Sequence, residues 1–293
     1  MQTQIDNNMF HIEILTPKQN TEDLDTALER FADKYEKVLQ AGYVACITDN
    51  PMGHLSFQAT EVIAELELPV EPEQVLVHLN TFHTRKQLDE ILTTAGELGM
   101  RYLLAVSGDG SERLPKLEPE SLGMSCNTVT SVELIRYIHA AYPGAFRCGV
   151  AFNPYESQDD ELEKMRRKVD AGAEFMITQP VIGRDERLDA LRAFRIPVII
   201  DAWMSKKLHL LSECVGYDIP EDTPYDPMEN LAKLHAHYPG YGLYLALLGF
   251  KSQFPLLPTL WEPRASSGDA RRNTGGAEAA AEAGALTAPP LTD

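Results

Sequence analysis

Short apolar segments alternate with amphipathic helices along most of this chain, and this alternation restricts the fold more than any other feature. The segments are short and rich in β-branched residues, as expected of strands buried on both faces of a parallel sheet. The β-like segments are Phe10–Leu15, Tyr43–Thr48, Gln74–Asn80, Tyr102–Val106, Arg147–Phe152, Phe175–Thr178, Ile196–Ile200 and Tyr241–Leu247. Eight such units predict an α/β chain folded as one (β/α)8 TIM-type barrel.

Helical periodicity fills the intervals between these segments. The predicted helices are Thr21–Leu39, Leu55–Leu66, Arg85–Leu98, Ser131–Tyr142, Asp160–Val169, Arg184–Phe194, Ser205–Val215 and one further helix ending at His237. Thr21 is the predicted N-cap of the first helix, because its hydroxyl can accept a bond from an unpaired amide of the first turn.

The chain has 293 residues, of which 44% are hydrophobic, which suits a barrel of about 250 residues with a tail. We predict a barrel domain over residues 1–261. After Trp261 the composition changes to Ala, Gly, Ser, Glu and Pro without aromatic residues. Such a segment buries too little apolar surface to fold, so a disordered tail is predicted at 262–293.

The charge balance argues against polyanionic partners. Acidic residues number 44 and basic residues 26, for a formal charge of −18. This surface repels phosphate backbones and anionic lipid, so we expect neither nucleic-acid nor membrane binding, although a few local donors still permit an anionic small ligand. The four cysteines show no C-x-x-C spacing and the N-terminus has no apolar signal segment. We therefore expect reduced thiols, no metal site, a cytoplasmic location and, in addition, a homo-oligomer.

Polar residues stand where the predicted strands end. They are Glu13, Thr48, Asp49, His78, Asn80, Asp109, Asn153, Gln179 and Asp201. In a β/α barrel the carboxyl ends of the strands meet at one face, and that face carries the chemistry. The set as a whole therefore predicts the site more strongly than any single member does.

Three of these positions have a specific chemical rationale. Glu13 lies within a strand, where partial burial raises the pKa of a carboxyl group and suits it to general acid catalysis; the alternative is a structural pair with Lys18. Asp109 lies between two glycines that permit close backbone approach to a ligand, although Gly-Asp-Gly is also an ordinary turn. Gln179 offers a donor and an acceptor to a flat heterocycle, or bonds to loop backbone instead.

Other candidates are more ambiguous. His78 is either a satisfied core residue or a ligand contact. Trp203 can stack on a planar ligand or pack at the rim. Arg166 and Arg167 are predicted on a solvated helix face, whereas Lys168 lies nearest the loop after the fifth strand and can reach a ligand phosphate.

Four segments in order resemble motifs of the methylenetetrahydrofolate reductase family. The most specific is MRRKVDAGAEFMITQ at 165–179, similar to the family signature K-x-K-x-x-A-G-A-x-x-x-I-T-Q. The others are FHIEILTPK at 10–18, VHLN at 77–80 and AVSGD at 105–109, similar to the family's opening strand, H-L-T strand end and L-R-G-D. The resemblance covers about residues 10–247.

The resemblance implies a β/α barrel that binds FAD at the carboxyl ends of its strands. It implies reduction of 5,10-methylenetetrahydrofolate to 5-methyltetrahydrofolate, with NAD(P)H reducing the flavin first. Glu13 then takes the place of the general acid that assists ring opening. Asp109 takes the place of the aspartate near pterin and flavin, and Gln179 that of the glutamine holding the pterin.

The cofactor positions follow from the same comparison. We assign Thr48, His78, Gly108, Glu161 and Lys168 to the cofactor. Of these, His78, Glu161 and Lys168 fall on flavin-contacting positions of the family. The chain also departs from the family pattern on this side: Ser107 replaces an arginine expected near the FAD diphosphate, FNPYES at 152–157 replaces Y-P-E-x-H-P, and no tyrosine occurs at 127–131.

The folate-side residues match the family better than the flavin-side residues do. Two hypotheses are therefore open. The first is a flavin-dependent methylenetetrahydrofolate-reductase-like enzyme. The second is a folate-binding barrel without flavin redox chemistry, serving as an accessory subunit or as a folate-dependent methyltransferase or demethylase.

Overall fold

The computed structural model describes residues 10–215 and 218–259. Within them eight parallel strands close into a barrel in the order β1-β2-β3-β4-β5-β6-β7-β8, which confirms the predicted (β/α)8 class. The strands are β1 Phe10–Ile14, β2 Val44–Ile47, β3 Val75–Leu79, β4 Tyr102–Ala105, β5 Arg147–Phe152, β6 Phe175–Thr178, β7 Val198–Ala202 and β8 Gly242–Leu245. The tail predicted at 262–293 lies outside the described residues and stays a prediction.

Helices follow the strands and cover the outside of the barrel. The α-helices are α1 Leu24–Gln40, α2 Ala59–Glu65, α3 Arg85–Glu97, α4 Ser131–Ala141, α5 Gln158–Asp170, α6 Leu208–Val215, α7 Pro227–His237 and α8 Phe250–Gln253. Short 3-10 helices occupy Pro51–Gly53, Pro119–Leu122, Glu186–Phe194 and Phe254–Thr259.

Several predicted helix ends were wrong. The N-cap of α1 is Asp23, whose carboxylate accepts a bond from the Thr26 amide at 3.2 Å, rather than Thr21. The second helix begins at Ala59 instead of Leu55, because Ser56 is held in extended backbone by a bridge to Lys18. The segment at 184–194 is 3-10 rather than α-helical, and Asp185 caps its first turn.

Strand alternation divides the apolar residues into two cores. One face of each strand packs under the helices, as Ile12 and Ile14 do at 0% and 1% exposure. The other face fills the barrel interior with Val44, Cys46, Leu76, Tyr102, Leu104, Phe175, Ile177, Ile199 and Tyr244. Gly149 of β5 is required here, because a Cβ atom on it would lie 2.1 Å from the Phe175 ring. The interior is therefore packed below its carboxyl end, where polar side chains begin.

Candidate active site at the carboxyl ends of the strands

The carboxyl ends of the strands surround a cavity of about 810 Å³. The residues assigned from the sequence to catalysis, substrate or cofactor all line it, whereas Asn80 of the strand-end set does not; the lining residues are Glu13, Thr48, His78, Gly108, Asp109, Glu161, Lys168 and Gln179. These residues come from β1, β3, α5 and the segments that follow β2, β4 and β6. Barrel closure is what brings them together, since they are spread over more than half of the chain.

Glu13 points into the barrel because its neighbours Ile12 and Ile14 occupy the opposite face of β1. Its Oε2 atom accepts a 2.7 Å hydrogen bond from the Tyr244 hydroxyl. Burial raises the pKa of the Glu13 carboxyl, and the bond from Tyr244 partly offsets this rise. The alternative pairing with Lys18 does not occur among the described residues. Glu13 is therefore a buried carboxyl group that retains its proton closer to neutral pH than a free glutamate does.

Tyr244 connects Glu13 to His78. The Tyr244 hydroxyl lies 3.5 Å from His78 Nε2, and the two rings are 6.0 Å apart at an interplanar angle of 28°. Burial lowers the pKa of His78 to about 4, although the charge of Asp49 works against this shift. His78 is therefore neutral at physiological pH. Tyr244 was missed as a site residue because the strand-end residues chosen from the sequence included none from β8.

Asp201 at the end of β7 also lines the cavity. Its Oδ1 atom is inaccessible to solvent and has no hydrogen-bond partner among the described residues. Burial, and secondly the charge of Glu13, raise the pKa of Asp201 well above its ordinary value. The Asp201 amide donates to Thr178 Oγ1 at 3.1 Å, which anchors this strand end to β6.

The loops after β2, β3 and β4 are tied together beside the cavity. Asp49 accepts bonds from the Asn80 amide at 2.8 Å and from His83 Nε2 at 2.7 Å. Asp109 is exposed and accepts a 3.1 Å bond from the Met52 amide. Its other oxygen accepts no hydrogen bond within the described residues and is available to a ligand. Asp49 and Asn80, in contrast, are engaged in holding loops.

Gly108 has a protein neighbour that explains the glycine. Its φ is +77°, and an added Cβ would lie 2.6 Å from Asn80 Cβ. The close approach expected from the glycine is thus to the loop after β3, while the residue itself still lines the cavity. The sequence pattern alone does not distinguish a protein neighbour from a ligand.

Two polar side chains face the cavity without partners in the described part of the chain. The hydroxyl of Thr48 is inaccessible to solvent and unpaired. Gln179 follows β6, and its backbone amide donates to the Phe152 carbonyl at 2.8 Å, while its side-chain amide forms no hydrogen bond there. The free amide of Gln179 is available to a polar ligand, whereas the Thr48 hydroxyl is closed to a ligand as it is to solvent.

Helix α5 contributes a cluster of charged side chains to the cavity wall. The buried Glu161 accepts a 3.0 Å bond from the Asn153 amide and lies 3.3 Å from Lys164 and 3.7 Å from Lys168. Lys168 also donates to the Ala151 carbonyl at 2.6 Å, and burial lowers its pKa. Arg167, predicted on a solvated face, is exposed and also lines the cavity.

Trp203 does not contact the cavity in the described structure. It is buried against Leu208 and Leu211 of α6, and its carbonyl accepts a bond from the Tyr225 hydroxyl. The rim-packing alternative for this residue is therefore the one that the structure shows.

Residues 10–215 and 218–259 contain neither a cluster of metal ligands nor a membrane-spanning helix. No group of three His, Cys, Asp or Glu side chains in the described ranges can hold a metal ion. Among the same residues, none of the helices combines the length and apolar character needed to cross a membrane. Cys46, Cys126 and Cys148 are free thiols.

A parallel eight-stranded barrel with acidic, imidazole and amide groups around one cavity defines a class of α/β-barrel with an enzyme-like site at the carboxyl ends of its strands. The family model for methylenetetrahydrofolate reductase matches residues 1–200. The chain belongs to the methylenetetrahydrofolate reductase family.

Individual relatives are distant and longer. Methylenetetrahydrofolate reductase 1 of Schizosaccharomyces pombe is 31% identical over 145 residues, covering 44% of this chain and 23% of that protein. A probable methylenetetrahydrofolate reductase (NADH) of Oryza sativa is 26% identical over 186 residues, covering 58% and 30%. The match thus spans about a quarter to a third of the length of these relatives.

The fold also matches a solved structure. A Clostridium thermocellum protein, described as binding two copies of 5-methyl-5,6,7,8-tetrahydrofolic acid, aligns with a TM-score of 0.55. It shares 12% sequence identity, over 87% of this chain and 94% of that one. At this identity the similarity shows the fold alone.

Proposed function

We propose that this protein binds a reduced folate carrying a one-carbon unit and catalyses the conversion of 5,10-methylenetetrahydrofolate to 5-methyltetrahydrofolate. The observation that carries the proposal is the half-buried Glu13 carboxyl, bonded to Tyr244 at 2.7 Å inside the cavity. Family membership supports this assignment. The described ligand of the Clostridium thermocellum protein indicates that a barrel of this fold can accommodate a reduced folate.

Glu13 supplies the proton in this proposal. The bridging carbon of the substrate is bonded to N5 and N10, and cleavage of its bond to N10 leaves an electron pair on that nitrogen. The proton of Glu13 goes to N10, and the carbon remains on N5 as an iminium group. Addition of one hydride from a reduced cofactor, either NAD(P)H or a flavin that NAD(P)H has reduced, then completes the methyl group. A carboxyl whose pKa is raised by burial is suited to this donation near neutral pH.

Gln179 and Asp109 are the proposed pterin-binding groups. The free amide of Gln179 offers a donor and an acceptor, which matches the amide-like edge of a pterin. The available carboxylate oxygen of Asp109 can accept from an amino group of the same ring. Both residues lie on the cavity wall, on the segments that follow β6 and β4. Together they would orient the ring for hydride addition.

FAD would supply the hydride in the family, so the fit of its diphosphate matters. Ser107 stands at the position of the family's arginine. The ammonium of Lys168 is engaged by the Ala151 carbonyl and Glu161, and Lys164 is paired with Glu156 and Glu161. The carboxylates of Glu156 and Glu161 therefore pair with the two lysines of α5. Arg167 is the cation of this cluster that forms no ion pair within the described residues. These residues do not fit a tightly bound diphosphate.

The second candidate is a folate-binding barrel without bound flavin, acting as an accessory subunit or in folate-dependent methyl transfer. The specific observation that favours it is the neutralised lysine pair on α5. Thr48 and His78, which were assigned to the cofactor from the family resemblance, line the cavity. These two residues are compatible with a flavin, whereas the α5 residues do not favour its diphosphate. A homo-oligomeric state, NAD(P)H as reductant and a cytoplasmic location also stay predictions.

Ligand content and one variant test the proposal. Purified protein is examined for flavin absorbance, reconstituted with FAD, and titrated with 5-methyltetrahydrofolate. Binding of the folate is expected, and absence of binding to the wild-type protein would overturn the function. Flavin that is retained or restored favours the first candidate, whereas folate binding without flavin favours the second.

Glu13→Gln separates the acid role from the rest of the reaction. It is expected to abolish turnover of 5,10-methylenetetrahydrofolate while leaving NAD(P)H oxidation by an artificial acceptor intact. Glu163→Gln, on the exposed face of α5, is the matched control and should retain both activities. Equal loss of both activities in Glu13→Gln would rule out the acid role.

A further inference from the structure

We propose that Asp201 is a second carboxyl group of the site, that it is present as the neutral acid, and that it donates a hydrogen bond to an acceptor atom of the bound ligand. The identity of that ligand as a reduced folate rests on the proposed function. The protonation of Asp201 does not depend on it.

The position of Asp201 relative to Glu13 is set by the barrel. Asp201 of β7 is paired in register with Tyr244 of β8, and Tyr244 is bonded to Glu13 of the next strand, β1. The two carboxyl groups therefore flank one tyrosine on three consecutive strands. Both line the same cavity.

Asp201 lacks the partners that a carboxylate requires. Its Oδ1 atom is inaccessible to solvent and unpaired, and Asp201 takes part in no ion pair, within residues 10–215 and 218–259. The side chain as a whole is half-buried and lines the cavity, so a ligand can reach it, while the closed Oδ1 end without a counter-charge favours the neutral acid.

The titratable groups facing Asp201 all favour the neutral form. They are Glu13 on β1, Tyr244 on β8 and Tyr225 in the segment before α7. Each is neutral or negative, and Tyr244 already donates its hydrogen to Glu13. The neighbouring β6 contributes only the uncharged Thr178, which accepts from the Asp201 backbone. Burial raises the pKa of both carboxyl groups, and ionisation of either one further disfavours ionisation of the other, so Asp201 holds a proton alongside the protonated Glu13.

A neutral acid has a recognition role that a carboxylate lacks. It donates a hydrogen bond to a ring nitrogen or a carbonyl oxygen, both of which occur on a pterin. Loss of the donor would leave the ligand's acceptor buried and unpaired.

Two variants at this position separate the effect of the hydrogen-bond donor from the effect of side-chain size. Asp201→Asn keeps a neutral donor of the same shape, whereas Asp201→Ala removes it. Affinity for 5-methyltetrahydrofolate is measured by calorimetry from acid to alkaline pH. Asn is expected to keep the affinity within a few-fold and Ala to lose roughly tenfold. Asp222→Ala, in an exposed loop, is the control and should bind as the wild type does.

The pH dependence gives a second signature. Wild-type affinity should fall as pH rises through the pKa of Asp201, because the ionised group no longer donates, whereas the Asn variant should show no such fall. Equal losses in the Asn and Ala variants, or full affinity in the Ala variant, would overturn the proposed contact.

Infrared difference spectra of the ligand-free protein test protonation on its own. The wild-type minus Asp201→Asn spectrum should show the C=O stretch of a carboxylic acid at neutral pH, and a carboxylate band there would contradict the proposal. In a Glu13→Gln background the acid band should disappear at lower pH, since a neighbouring charge is removed. If the wild-type protein binds no folate, the proposed function and the ligand contact both fail, and the acid band alone decides the protonation.

Discussion

Tyr244 on β8 donates its hydroxyl hydrogen to Glu13 on the adjacent β1 at 2.7 Å. This bond lowers the pKa of Glu13 against the larger effect of burial, which raises it. Tyr244→Phe removes the bond and keeps the ring beside His78. The pKa of Glu13 should then rise further, so the protonated form persists to higher pH. The alkaline limb of the pH–rate profile for 5,10-methylenetetrahydrofolate should therefore move to higher pH.

Tyr241→Phe is the matched control for that variant. Tyr241 precedes β8 and stacks on Tyr238, away from the cavity. Its pH–rate profile should coincide with that of the wild type. An alkaline limb that stays in place in Tyr244→Phe would show that the hydrogen bond does not control the acid.

Asp49 holds two loops of the site and is expected to be important for stability. In the wild type, the Asn80 amide and His83 Nε2 both bond to the Asp49 carboxylate. Asp49→Asn places an amide donor against these two groups. Loss of these bonds in a buried place should lower the free energy of unfolding by about 2–4 kcal/mol. Urea denaturation measures the change.

A surface ion pair provides the comparison. Asp33→Asn breaks a 2.7 Å contact with Lys37 in which both side chains are about half exposed, and should cost no more than about 0.5 kcal/mol. Similar losses in Asp33→Asn and Asp49→Asn would contradict the role of Asp49 as a buried anchor.

His78 makes stability depend on pH. The folded protein takes up a proton at His78 only near pH 4, whereas an ordinary histidine does so near 6.5. The unfolded chain therefore binds more protons between these values, and stability should fall as pH decreases through this window, by up to about 3 kcal/mol.

The difference between His78→Gln and the wild type isolates this contribution. The free energy of unfolding of His78→Gln should fall less steeply between pH 6.5 and 4, while His237→Gln, on the exposed face of α7, should keep the wild-type slope. Parallel slopes for the wild type and His78→Gln would show that His78 is protonated in the folded state.

Local patterns in the sequence predicted the barrel well. β5 and β6 have the bounds expected from their apolar runs, because a run flanked by turn residues specifies a strand without long-range information. The end of β7 was less predictable. Ile196 and Pro197 precede it, and pairing with β8 extends it to Ala202.

The site was predictable as a collection and unpredictable in its pairings. Polar residues at strand ends must meet once a barrel closes, which is why the assigned residues share one cavity. The Tyr244–Glu13 bond joins residues 231 positions apart, and the effect of Glu13 on Asp201 likewise depends on which strands become neighbours. No local pattern contains that information.

Gly108 separates two effects of a glycine at positive φ. Gly108→Ala introduces both an unfavourable φ of +77° and a contact of 2.6 Å with Asn80 Cβ, whereas Gly42→Ala, at φ +74°, meets nothing within 4 Å. Gly42→Ala should therefore cost about 1 kcal/mol of stability and Gly108→Ala about 2–4 kcal/mol. Displacement of the neighbouring Asp109 from the Met52 amide should also weaken folate binding in Gly108→Ala alone. Denaturation and calorimetry of both variants measure these effects, and equal stability losses would mean that backbone conformation, rather than the contact with Asn80, requires the glycine.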